Sequence, residues 1–151
     1  MNNMEKDFIP DDPLTGFFND FMTALFVGIA DVVLCLIFNL VYRGNGIYFS
    51  SDLINVASII FGVLLLYFLI GMIYAMMVRM LKKGVFFFIL FFILLTILAL
   101  WAASSVNFSV RPAESERFRG LLKGIVWIVG ISAVIGIPLL RNSKKFKDYV
   151  L

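Results

Sequence analysis

FMTALFVGIADVVLCLIFNLVY, residues 21–42, decides the fold class. Its one charged residue is Asp31; nearly everything else is apolar or small. At 1.5 Å per residue a helix over this run is about 33 Å long, the thickness of a bilayer's hydrocarbon core. Three further runs behave the same way. Leu53 to Val78 and Val85 to Ala103 carry no charge at all. The apolar stretch Gly124–Leu140 is short, but a span of about 121–140 works because Lys123 and Arg141 can snorkel outward at its ends.

Composition points to the same solvent. Hydrophobic residues make up 62% and charged residues 15% of the 151 residues, against about 45–50% and about 25% in soluble domains. The sequence therefore predicts an all-α integral membrane four-helix bundle, built from antiparallel hairpins with short loops. Residues 1–20 form an acidic N-terminal tail with an interfacial turn at Phe17, Phe18 and Phe21. Residues 21–140 are the membrane domain, and 141–151 a basic C-terminal tail. The acidic start, with Glu5, Asp7, Asp11, Asp12 and Asp20 against Lys6, does not fit a cleavable signal peptide.

Local signals set the boundaries. Asp12-Pro13 reads as an N-cap and first helical position, so the first helix begins ahead of the membrane. Gly44-Asn45-Gly46 ends it, and Ser50, Ser51 or Asp52 caps the second helix. Lys82-Lys83-Gly84 leaves room only for a tight hairpin between spans two and three. Residues 104–111 are the extended loop. Pro112, with Glu114 and Glu116 behind it, opens a helix that runs on through the fourth span, where Pro138 is a kink position.

Lysine and arginine counts give orientation. Lys6, Arg79, Lys82, Lys83, Arg141, Lys144, Lys145 and Lys147 fall on the side holding both termini, making 8. Arg43, Arg111, Arg117, Arg119 and Lys123 fall on the other, making 5. Both termini are expected in the cytoplasm, with the chain in the cell's inner (cytoplasmic) membrane. Lys82, Lys83, Lys144, Lys145 and Lys147 are candidate contacts for lipid headgroups or a partner.

Asp31 is the residue out of place. A carboxylate at the centre of a membrane helix costs about 2.5–3.5 kcal/mol on insertion scales, so such acids face a protein interior or a water-filled cavity. At 100° per residue, Asp20, Ala24, Gly28, Asp31, Cys35, Asn39 and Tyr42 share one arc. In the functional reading Asp31 is a proton or cation site, Asn39 a second polar station and Asp20 part of the same stripe. In the structural reading Asp31 is a hydrogen-bonded packing contact. No Lys or Arg lies at its depth, which leaves an ion, water or another subunit as its partner. Cys35 reads as a small packing residue.

Small and polar residues mark helix contacts in membranes. Asn55, Ser58 and Gly62 line one face of the second span; Tyr67, Gly71, Tyr74 and Ala75 line another, which places that helix centrally. The third span, ringed by Phe86, Phe87, Phe88, Phe91 and Phe92, reads as lipid-facing, with a seam at Thr96, Ala99 and Ala103. Gly120 and Gly124 form a GxxxG for packing inside the bundle, with homo-oligomerisation the lesser alternative. Trp101 is expected at the membrane edge and Trp127 against protein.

The chain has no histidine and a single cysteine. Without a paired nucleophile and base, a metal-ligand cluster or a phosphate-binding loop, it is expected to be non-enzymatic and to use no cofactor or metal. A net charge of +3 gives no reason to expect nucleic acid. Two functions fit. The first is an accessory or scaffold subunit of a larger membrane complex, because the contact faces exceed what one small bundle needs. The second is a small oligomeric channel, or a proton- or cation-coupled transporter, using Asp31.

Overall fold

A computed structural model describes residues 13–44, 54–106 and 112–143. They form four long helices: α1 (Pro13–Gly44), α2 (Val56–Met80), α3 (Gly84–Ser105) and α4. The last begins as Pro112–Ile131, widens into a π-turn at Ser132–Gly136 and continues as Ile137–Asn142. All four are long and apolar enough to cross a membrane. The chain is a multi-pass membrane protein by architecture, a helical bundle with no strand among the described residues.

The helices close into a ring. α1 packs on α2 most extensively, α2 on α3, α3 on α4, and α4 returns to α1. Pro13, the turn at 81–83 and Asn142 mark one end of the bundle, here the hairpin end. Gly44, Ile54, Val106 and Pro112 mark the other, the loop end. No helix is central in the sense expected of α2. α1 is the most enclosed and α3 the least.

α1 begins at Pro13, as the Asp12-Pro13 pair predicts, and runs on unbroken, so the segment read as tail is helix from residue 13. Phe17 stacks on Phe21 along it, with ring centroids 6.4 Å apart, and the Arg79 guanidinium lies 5.6 Å from the Phe17 ring centre. Asp12 lies outside the described residues, as do 45–53. The cap of α2 is Asn55: its side chain accepts from the Ser58 backbone N–H at 2.8 Å, and the Ser58 hydroxyl accepts from the Asn55 N–H at 2.9 Å. This reciprocal capping box replaces the expected cap at Ser50, Ser51 or Asp52. Asn55 and Ser58, read as part of a helix-contact face, are exposed and take part in this cap.

The hairpin between α2 and α3 depends on Gly84. Its N–H bonds the Leu81 carbonyl at 3.0 Å, and a side chain there would collide with the Met77 carbonyl and Val78 Cα. Only glycine lets the chain turn back so closely. Lys82 and Lys83 stand exposed on the turn.

α4 answers the kink expected at Pro138 with a π-turn. Proline offers no N–H, and its ring crowds the carbonyl four residues back, that of Val134. Val134 lies inside the π-turn, whose wider winding moves that carbonyl aside.

Two aromatic expectations were reversed. Trp127 is 53% exposed, facing away from the bundle like Trp101 at 73%. Both Phe88 and Phe92 are buried, and Tyr74 meets the Phe88 ring edge-on at 4.7 Å. One stripe of α3 therefore faces protein, while Phe86, Phe87 and Phe91 face outward.

Candidate functional site

The polar arc of α1 turns inward along its length. Asp20, Asp31, Cys35 and Asn39 are all buried, with Ala24 and Gly28 between them. The neighbours that enclose it come from α2 and α4. Gly28 lies beneath Tyr67, where a methyl group would stand 2.6 Å from the Tyr67 Cβ. Gly71 lies over Ala24, where a methyl would stand 3.1 Å from the alanine's own. Small residues on both helices thus bring α1 and α2 together at the level of the arc.

Three polar stations occupy the arc, and they differ. At the hairpin end Arg141 Nε donates to Asp20 Oδ1 at 2.7 Å. The same guanidinium lies 5.7 Å from the centre of the Tyr74 ring. Arg141 therefore folds back onto the bundle instead of snorkelling outward. At the loop end Arg43 Nε donates to Asn39 Oδ1 at 2.9 Å, and a second guanidinium nitrogen of Arg43 donates to the Ile54 carbonyl. Asp20 and Asn39 are thus bound to arginines at opposite ends, and neither joins Asp31 in one cluster.

Asp31 sits between them, about 16 Å along the helix from Asp20 and about 12 Å from Asn39 at 1.5 Å per residue. Its exposure is 0%, and neither carboxylate oxygen makes a well-formed hydrogen bond, although two hydroxyls stand close enough to interact with the group. Tyr67 and Ser132 are the polar side chains that face it. Tyr67 instead turns its hydroxyl to the Val129 carbonyl, donating at 3.3 Å. Cys35, one helical turn on, is also fully buried and reduced. Ser132 opens the π-turn, so the carboxylate lies against the one irregular stretch of helix in the bundle. π-Turns are frequent at functional sites.

This enclosure corrects one expectation. Asp31 lies wholly inside its own chain, so a residue of another subunit has no surface through which to reach it in this fold. Gly120 and Gly124 are likewise used internally: Tyr42 covers the first and the Phe38 ring the second, and the Tyr42 hydroxyl donates to the Arg117 carbonyl at 3.1 Å. Gly62 has nothing within 4 Å of where its side chain would be, so it is not a contact within this chain. Lys144, Lys145 and Lys147 lie outside the described residues.

Sequence reasoning had Tyr67 and Ser132 only among six polar groups of the other spans that Asp31 could meet, with Asn55, Ser58, Tyr74 and Thr96, and it missed Arg141 as the partner of Asp20. The residues were visible as polar groups in apolar spans; which helix each would face was not. Among the described residues no three acidic or cysteine side chains gather as a metal site would require. The chain matches no protein family, no curated protein and no solved structure.

Proposed function

We propose that this chain is a small channel or a proton- or cation-coupled transporter, oligomeric or acting alone, in which Asp31 is the exchangeable site. One observation carries the reading: a carboxyl group at mid-bundle, fully enclosed, faced by the hydroxyls of Tyr67 and Ser132 and by no cation among the described residues. Burying an acid there costs several kcal/mol, and a packing role would be met at lower cost by an apolar side chain. A buried acid met by two hydroxyls alone is a candidate for a functional group. A proton or small cation on Asp31 is its occupant in this reading. Tyr67 and Ser132 provide hydroxyls that can turn toward the carboxylate, and the π-turn provides local slack. The Asp20–Arg141 and Asn39–Arg43 pairs close the arc at its two ends, so passage to or from Asp31 requires one pair to open.

The orientation that goes with this reading places both termini in the cytoplasm and the chain in the cell's inner membrane, from the 8-to-5 distribution of Lys and Arg. The test is flux in reconstituted vesicles. Asp31→Asn is expected to abolish proton or cation movement seen with the wild-type chain; unchanged flux overturns the proposal.

A second reading is an accessory or scaffold subunit without enzymatic activity. It is favoured by the face of α2 at Ser58 and Gly62, which no other helix of the chain covers. Purification from mild detergent is expected to bring a stoichiometric membrane partner with it. A single monodisperse species counts against that reading and leaves the first intact.

A further inference from the structure

Between α2, α3 and α4 lies a cleft of about 370 Å³, separate from Asp31. Its lining extends from Ile70, Phe92 and Ala133 near mid-bundle to Ser58, Ala99 and Leu122 toward the loop end. Gly62 forms part of its wall. Its lining offers a ligand almost nothing polar. The Thr96 hydroxyl donates to the Phe92 carbonyl at 2.7 Å, and the Ser58 hydroxyl is held by Asn55 in the capping box. The body of the cleft is therefore suited to hydrocarbon.

Its loop end has the opposite character. Arg43 holds the carbonyl of Ile54, a lining residue. Arg119 Nε donates at 2.7 Å to the carbonyl of Val106, the C-cap of α3. Counting 100° per residue, Arg119 lies on the same face of α4 as the lining residues Leu122, Val126 and Val129. Lys123 follows Arg119 by one turn, about 40° round α4 at the edge of that face, and its side chain makes no ion pair or hydrogen bond among the described residues. The positive end of the α2 helix points to the same mouth. An apolar slot ending under three cations matches an acyl chain beneath an anionic headgroup.

Charge decides between a lipid and an apolar partner helix. An apolar helix in the cleft brings no anion to the arginines at its loop end, whereas a phospholipid carries its phosphate directly above an acyl chain. The apolar lining from Ile54 to Ile70 runs along α2 for about 24 Å, the direction a chain takes below its headgroup. The geometry points to a bound anionic phospholipid, with one chain between α2, α3 and α4 and its phosphate at Lys123 and Arg119. This also accounts for a basic cluster at 111–123 that the orientation of the chain does not explain.

The test uses the full chain in phosphatidylcholine vesicles containing spin-labelled phosphatidylglycerol or spin-labelled phosphatidylcholine. The readout is the motionally restricted fraction of each. The wild type is expected to restrict phosphatidylglycerol preferentially. Lys123→Gln should reduce that preference about fivefold, the loss of one surface cation's attraction. Gly62→Phe fills the cleft from a position with open space and should remove the restricted component for both lipids; Ala99→Phe, from the opposite wall, should repeat it. Circular dichroism and elution volume check that each variant folds. The proposal is overturned if the wild type shows no headgroup preference, or if folded Gly62→Phe and Ala99→Phe leave the restricted fraction unchanged. A change of oligomeric mass in those variants without loss of lipid also overturns it, and assigns the face to a protein partner.

Discussion

Replacing Asp31 with Asn separates a working carboxylate from a structural one through stability alone, without knowledge of what is transported. The two side chains have the same shape, so packing against Gly28, Tyr67 and Ser132 is preserved. In the wild type both carboxylate oxygens are buried and neither makes a well-formed hydrogen bond, with the Tyr67 and Ser132 hydroxyls beside them. A buried polar atom left unsatisfied costs about 1–3 kcal/mol. The asparagine amide brings two N–H donors, and the hydroxyl oxygens of Tyr67 and Ser132 can accept from them; the remaining oxygen stays as it was. One of the two unsatisfied positions is thereby relieved, a gain of about 1–3 kcal/mol. At about 2–4 °C per kcal/mol for a chain of this size, the midpoint of unfolding should rise by roughly 5 °C. Cys35 supplies the assay: it is the chain's one cysteine and is fully buried, so a thiol-reactive fluorogenic maleimide reports its exposure on heating in detergent. A fall in midpoint of similar size would refute the reasoning, because it would mean the carboxylate holds the bundle together. A rise in stability joined to a loss of flux is the pattern of an acid retained for function.

Two other perturbations test the packing. Gly28→Val should destabilise by about 1–3 kcal/mol or more, since its first carbon meets Tyr67 at 2.6 Å, whereas Gly62→Ala, with nothing within 4 Å, should be neutral or stabilising by about 0.5–1 kcal/mol; thermal unfolding in detergent compares them. Arg141→Gln leaves the Asp20 carboxylate nearly buried without its cation and should cost about 1–2 kcal/mol, less than a fully buried pair because the Arg141 side chain is 32% exposed; adding Asp20→Asn should recover most of the loss in the same measurement.

The spans were legible because each is a long run without charge, and length with hydropathy is enough to specify a membrane helix. Their ends were legible where proline or glycine leaves no alternative, as at Pro13, Gly84 and Pro112. The start of α2 was not. Ser50, Ser51, Asp52 and Asn55 are all competent caps, and only Asn55 has a serine three residues on to complete the reciprocal pair. Trp127 was misread because depth in a span does not determine azimuth: a tryptophan deep in the bilayer can face lipid as readily as protein.

The arc centred on Asp31 shows the same limit in its sharpest form. Periodicity established that Asp20, Asp31, Cys35 and Asn39 share a face, and the cost of burying charge established that the face must contact protein. Neither fact says whose protein. The answer rests on pairings between residues far apart in the chain: Arg141 with Asp20, Tyr67 over Gly28, Ser132 beside Asp31. Once made, these pairings use up the arc within one chain and leave the α2 face at Ser58 and Gly62 as the surface open to another molecule. The stations of the arc are unequal. The outer stations are satisfied by arginines that can reach the membrane surfaces. Among the described residues no arginine or lysine lies at the depth of the central one; Asp31 meets the hydroxyls of Tyr67 and Ser132 instead, and that difference is what supports the proposal of a proton or cation site there.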